Sequence, residues 1–313
     1  MNVSAVRPPS AGRFAHCRKR LRQSKYLYLL LLLPLVYFIV FKYVPMYGVI
    51  IAFKDFRVRE GIMGSSWVGL EHFREFLTDP NFAVIFKNTI ILSLLQIVIC
   101  FPFPIIFALF VNEMRCTPVK NLVERVSCFP HFISTVVVIS VLTIFVSKDG
   151  LVNQIIVALG GTAKSYMLDS RWFRPLYIIT DIWQETGWSA IIYLAALSGV
   201  DLQLYEACDI DGGGRFTRLW NITLPSIAPT ITIMLILRMG SIMSVSFDKV
   251  LLMQNPTIYN TADVISTYVY RRGLQGAQYS YATAVGVFES LIGIMFLLLS
   301  NAISRKISDT SLF

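Results

Sequence analysis

Charge is scarce in this sequence. Only 15% of its 313 residues are Asp, Glu, Lys or Arg, and 55% are hydrophobic, whereas a soluble domain carries about 25% charge. A water-facing globule of this length needs a charged surface over its core, so an ordinary soluble enzyme is excluded. Histidine occurs three times (His16, His72, His131), and the five cysteines (Cys17, Cys100, Cys116, Cys128, Cys208) form no CxxC pair. Neither a zinc-ligand spacing nor a disulfide framework results. There is no GxSxG and no HExxH. The stretch GGTAKS at 160–165 lacks the Gly before Lys164 and the spaced upstream Gly of a phosphate-binding loop, and Gly212–Gly214 lacks the GxGxxG spacing. With no nucleotide motif of its own, the chain can do uphill work only by drawing on a partner or an ion gradient.

What is present is long apolar runs and one basic block. The net charge is +9, which alone would suit nucleic acid, but its distribution removes that reading. Arg7, Arg13, Arg18, Lys19, Arg20, Arg22 and Lys25 precede the first apolar run with no acidic residue among them, leaving 21 basic against 19 acidic residues in the rest. Such a block beside an apolar stretch holds a segment on the cytoplasmic side during insertion. Six stretches approach the roughly 20 helical residues needed to cross a bilayer: 26–52, 86–112, 130–147, 176–198, 229–253 and 283–303. The first runs past the length of a secretory signal core and has no small-residue cleavage site after it, so it reads as a retained anchor.

These spans predict an all-α polytopic membrane protein with a basic tail (1–25), a six-helix domain (26–303) and a short C-terminal tail (304–313). Six crossings put both termini in the cytoplasm, with Arg305 and Lys306 beside the last span. The same counting places 113–127 and 199–228 inside, and 53–85, 148–175 and 254–282 outside. Leu70, Phe73, Phe76 and Leu77 give 67–80 the repeat of a short amphipathic helix on the outer surface.

The inner loop 199–229 carries the most information. Asp201 suits a helix cap, 202–210 forms two and a half turns, and Gly212 suits the left-handed residue that ends them. Tyr205, Cys208 and Asp209 then share one face, and Glu206 and Ile210 an adjacent one. Pro225 and Pro229 are expected to break the chain before the fifth span.

Glu206-Ala207-Cys208, Asp211-Gly212-Gly213 and Ile222-Thr223-Leu224-Pro225 resemble the EAA motif of permease subunits in binding-protein-dependent ABC importers. Cys208 and Gly213 stand where that motif usually has Ala. FKYVPMYGVIIAFKDF (41–56), WVGLEHF (67–73), PHFIS (130–134), IWQETGWSAIIYLAAL (182–197) and ADVISTYVYRRGL (262–274) look like the polysaccharide branch of the type I sugar permeases. The resemblance implies the type I permease fold in a bacterial cell membrane and import of complex or oligomeric carbohydrate. Its implied partners are a homologous second permease, an extracytoplasmic binding protein and two ATPase subunits that hold the ATP and Mg, with no cofactor in this chain and no nucleic acid. Glu206, Ala207, Asp211, Gly212, Gly213, Leu224 and Pro225 would carry the ATPase coupling. The alternative at this loop is an ordered, capped helix with no partner.

Polar groups at membrane depth mark the expected route. In the fourth span Asp181, Gln184, Glu185 and Trp188 recur at i, i+3, i+4 and i+7 on one face. Carboxylates and an amide bond sugar hydroxyls, and an indole stacks on a pyranose face. The fifth adds Arg238, Ser241, Ser244 and Asp248 in one arc, and the sixth Glu289 between Gly286 and Gly293. Interhelical glue is the competing reading, with Arg238 neutralised by Glu185 or Asp248, and for Glu289 it is the preferred one. Gln96 with Pro102 and Pro104 suggests a kink near the route, and His131 reads as structural. An ion-gradient transporter using Asp181, Glu185 and Glu289 is the rival function, but no internal inverted repeat accompanies it.

Overall fold

The computed structural model describes residues 24–307. All basic residues before Lys25, and the last six residues of the C-terminal tail, lie outside them. Among the described residues four helices are long and apolar enough to cross a membrane, and two sharply bent helix pairs raise the count to six. The first is α1 (Lys25–Phe53). It leads into a two-stranded antiparallel ribbon, β1 (Lys54–Asp55) and β2 (Ser66–Trp67), and then α2 (Glu71–Thr78). The second span is α3 (Phe82–Asn112). The third is the bent pair α4 (Thr117–Phe132) and α5 (Thr135–Phe145), followed by the short α6 (Leu151–Ala158).

The fourth span is α7 (Ser170–Ser198), which continues into α8 (Leu202–Ile210) across a 68° bend. The fifth is α9 (Arg215–Gly240), with α10 (Phe247–Met253) after it. The last elements used below are α11 (Ile265–Val269) and the final span α12 (Tyr279–Ile307).

Three spans widen into a π-turn two residues before a proline. The turn Ile39–Tyr43 precedes Pro45, Gln96–Cys100 precedes Pro102, and Leu219–Thr223 precedes Pro225. A proline ring collides with the carbonyl four residues back and offers no N–H. In each turn the N–H just before the proline skips one carbonyl and reaches five residues back, Val44 to Ile39, Phe101 to Gln96 and Leu224 to Leu219. The wider turn makes room for the ring, so the helix continues. Pro225 therefore does not break the chain, and the same helix also runs on through Pro229, contrary to the sequence expectation for both. α9 begins within the predicted inner loop, and only residues 211–214 separate it from α8.

The fifth span also ends earlier than its apolar run. Gly240 packs on α12, where a Cβ would overlap Leu297, and one on Gly293 would stand 2.7 Å from the Gly240 carbonyl oxygen. Helix geometry then lapses through 241–246, where Ser93 Oγ takes the Ile242 carbonyl. The predicted third span, 130–147, straddles a break as well: α4 and α5 meet at 96°. Ser134 caps α5 by accepting from Val137 N. The α4 end crosses α7 so closely that a Cβ on Gly187 would overlap the Ser127 carbonyl. In lipid, where apolar contact between helices gains little from water exclusion, such close approach is what holds spans together.

The helix expected on the outer surface is α2, and it does not lie free. Phe76 is buried edge-on against Phe82, Tyr281 and Phe288. Arg272 reaches Glu75 Oε1 at 3.1 Å and Asp79 at 3.8 Å. Asp79 also accepts from Tyr268 and from Asn81 N at 2.7 Å.

Candidate functional site

α3, α7 and α9 border a half-open cavity of about 510 Å³ whose wall mixes polar groups with the apolar side chains of Phe101, Ile182, Met234 and Leu237. Gln96, Cys100 and Pro104 form its α3 wall, and Asp181, Glu185, Thr186, Ser189 and Tyr193 its α7 wall. Arg238, Ser241 and Ser244 close it from the end of α9 and the turn beyond. The spacing 181, 185, 189, 193 is the i+4 row of a helix, which Gln96 and Cys100 of the π-turn and Pro104 face across the cavity.

The expected α7 face is thus rotated from the real one by roughly 80° at 100° per residue. Gln184 is buried outside the cavity, where its Nε2 donates to the Ile133 carbonyl at 3.1 Å. The α4–α5 break leaves that carbonyl without a helical partner, and an unmet carbonyl at this depth is costly. Trp188 also lies off the cavity, its ring stacked flat on His131 at 4.6 Å. His131 Nδ1 lies 3.1 Å from Glu185 Oε2, within hydrogen-bond distance. Glue and cavity therefore divide the predicted set: Gln184 and Trp188 hold the broken third span, while Asp181 and Glu185 line the space.

Asp181 is not free. Lys249 Nζ approaches its Oδ1 at 2.9 Å, with side-chain exposures of 4% and 13%, and Gln96 Nε2 its Oδ2 at 3.3 Å. Sequence reading singled out Asp248 and passed over Lys249, yet Asp248 is exposed and lies off this cavity. Adjacent helical residues point 100° apart, and a lysine within an apolar run needs a buried carboxylate. That need was the available signal. The single arc of Arg238, Ser241, Ser244 and Asp248 is broken, because α9 ends at Gly240. Neither Glu185 nor Asp248 neutralises Arg238: among the described residues no ion pair reaches it. The glycines around Glu289 also part ways. Gly293 sits at the tight seam, and Gly286 has open space beside it.

α8 forms a second candidate site. Asp201 Oδ1 accepts from Gln203 N at 2.9 Å, as an N-cap does. Gly212 has φ +76°, its N–H bonds Asp209 O, and Gly213 N bonds Cys208 O at 2.8 Å, a Schellman ending. Tyr205 meets Thr223 Oγ1 at 3.0 Å and Asp209 pairs with Arg218, which fixes one face of α8 on α9. Glu206, Ala207, Ile210 and Asp211 stay exposed, and Leu224 and Pro225 belong to α9 itself. Phe216 and Trp220, exposed at the start of α9, extend this surface and were missed because the segment read as loop.

Residues 101–309 match the family described as the binding-protein-dependent transport system inner membrane component. That decides the identity. The chain belongs to this family of inner-membrane transport components. It is 45% identical over 295 residues to the polygalacturonan/rhamnogalacturonan transport system permease protein YteP of Bacillus subtilis, covering 94% of this chain and 92% of that one. It is 43% identical to LplB of the same organism, covering 97% and 96%. The fold superposes on a chain of a bacterial alginate ABC transporter crystallised with an alginate pentasaccharide-bound periplasmic protein. That match has TM-score 0.86 and 38% identity, over 94% of this chain and 99% of that one. This family member is a multi-span permease of the ABC importer type, and the likeness favours ATP-driven import over an ion-gradient transporter. It is not the ATPase, because in such importers partner subunits hydrolyse ATP.

Proposed function

We propose that the cavity between α3, α7 and α9 is the route of an oligosaccharide, and that α8 is the surface through which ATPase subunits drive its opening to one side and then the other. One observation carries the reading: three spans border a space in the usual size range of ligand sites, about 300–1,000 Å³, lined by two carboxylates, a guanidinium and several hydroxyls. Sugar hydroxyls exchange hydrogen bonds with such a wall, in either direction. Oligosaccharide as the cargo class is supported by the names of the relatives.

A homologous permease completes the route, an external binding protein delivers the sugar, and two ATPase subunits bind ATP and Mg. In the resembled motif Glu206 makes the polar contact with the ATPase, and here it stands exposed beside Ala207 and Ile210. α8 then faces the cytoplasm, both termini lie on that side, and Arg305 and Lys306 end α12 there. Ser244→Trp tests the route, since an indole at that wall projects into the cavity and obstructs it. ATP-dependent uptake by the assembled importer should stop while the subunits still co-purify. Undiminished uptake would remove the cavity from the route.

A further inference from the structure

The three charged side chains of the cavity differ in what they already have. Asp181 is matched by Lys249 and Gln96 from behind the wall. Glu185 is engaged by His131 Nδ1 at 3.1 Å, the imidazole itself backed by Trp188. Arg238 has neither arrangement: no carboxylate stands within ion-pair distance among the described residues, and the bonds from Ser241 Oγ and Ser241 N both go to its backbone carbonyl. A guanidinium is always charged and offers a planar fork of five donors that fits a carboxylate two bonds at a time. Left bare at membrane depth it is costly, and the hydroxyls around it supply no negative charge. Thr186 Oγ1, buried in the α7 wall of the same cavity, also has no partner.

We propose that Arg238 is the specificity-determining residue of the route, its guanidinium reading a carboxylate on the cargo, so that the sugar carried is a uronate-bearing oligosaccharide. The proposal rests on the cavity being the sugar route. Lys249 serves it in a negative sense: by pairing with Asp181 from outside the space it offsets that charge and keeps the carboxylate from occupying Arg238, and His131 holds the Glu185 carboxyl on its own side of the wall. The side chain is also replaceable without orphaning a partner, since no ion pair depends on it.

The experiment uses the assembled importer reconstituted in vesicles, with a galacturonate trimer and the galactose trimer made by reducing its carboxyls as paired probes. The wild type should take up the acidic trimer in preference. Arg238→Gln should lower the ratio of acidic to neutral uptake at least tenfold at equal yield of the complex, and Arg238→Lys, which keeps the charge but not the fork, should restore part of it. A ratio unmoved by Arg238→Gln, or a wild type that favours the neutral trimer, overturns the proposal. The Ser244→Trp variant separates this failure from failure of the route: uptake blocked by Ser244→Trp but indifferent to Arg238→Gln removes the proposal alone, and uptake that survives Ser244→Trp removes both.

Discussion

Cys208 and Gly213 stand where the resembled motif carries two alanines, and the structure joins the two departures. A Cβ on residue 213 would overlap Cys208 Sγ and come within 2.9 Å of the Cys208 carbonyl oxygen, so the larger side chain at 208 is accommodated by the missing one at 213. Gly213→Ala alone should destabilise the α8 ending by about 1–3 kcal/mol through overpacking. Together with Cys208→Ala the part due to the Sγ overlap should return while the contact with the carbonyl oxygen remains, as a double-mutant cycle in thermal melts would show. A second residue-scale expectation concerns Lys249. Lys249→Met leaves Asp181 as an unpaired buried carboxylate and should cost about 3–5 kcal/mol, whereas Asp181→Leu with Lys249→Met should melt close to the wild type. Equal losses in the single and double variants would mean that the pair is not coupled.

Asp79 ties α2 to the segment after α11, and its titration is legible from its contacts. Burial opposes ionisation of its carboxyl, but hydrogen bonds from Tyr268 and Asn81 and the charge of Arg272 outweigh it and hold the group below its ordinary value of 3.8. A depressed carboxyl stabilises the fold fully above the ordinary value and loses that contribution as pH falls through the lowered one. Melting temperature should therefore drop on acidification below about pH 4, as linkage requires. Asp79→Asn should melt lower at neutral pH and show a flatter acid limb.

At the scale of elements, α8 depends on its two ends. Asp201 satisfies the first-turn donor Gln203 N, and the positive φ of Gly212 lets the chain turn back so that Gly213 N can cap the Cys208 carbonyl. Gly212 has nothing within 4 Å of where a Cβ would stand, so Gly212→Ala meets no clash and costs only the left-handed backbone, about 1–2 kcal/mol. Gly212→Pro cannot adopt that φ at all and should undo the ending. The expected order in ATP-coupled uptake is wild type, Gly212→Ala, then Gly212→Pro, with insertion of the spans intact in each. Equal uptake in all three would separate α8 from the coupling. The crossing at Gly187 behaves differently, because there the obstacle is the Ser127 backbone rather than the dihedral. Gly187→Ala should push α4 from α7 and lower the melting temperature.

For the whole molecule the central prediction is dependence on partners. Purified alone and reconstituted, the chain should neither hydrolyse ATP nor accumulate sugar, since it carries no phosphate-binding loop. Sugar uptake driven by an ion gradient in such vesicles would count against the ABC assignment. The cavity reinforces the expectation, because its walls come from three spans of one chain while α1 presents apolar side chains on nearly every face and contributes nothing to it.

Composition and hydropathy were enough to establish a helical membrane protein, because lipid forces every spanning backbone to satisfy itself and that demand is written locally as apolar length. The α8 helix was legible for a similar reason: its cap, its faces and its left-handed end are all set by residues within a dozen positions of one another. The route was legible only in composition. Asp181, Glu185 and Arg238 were found, but which of their neighbours shared the cavity depended on facts held far away in the chain. The carbonyl freed at Ile133 drew Gln184 out of the expected face, His131 drew Trp188, and Lys249 rather than Asp248 turned toward Asp181. The limits of α9 were likewise not written in its apolar run: the π-turn before Pro225 let the helix begin earlier, and the Gly240–Gly293 contact marks where it stops. Periodicity names the residues that share a face, but the unmet polar groups of the packed neighbours choose which face turns inward.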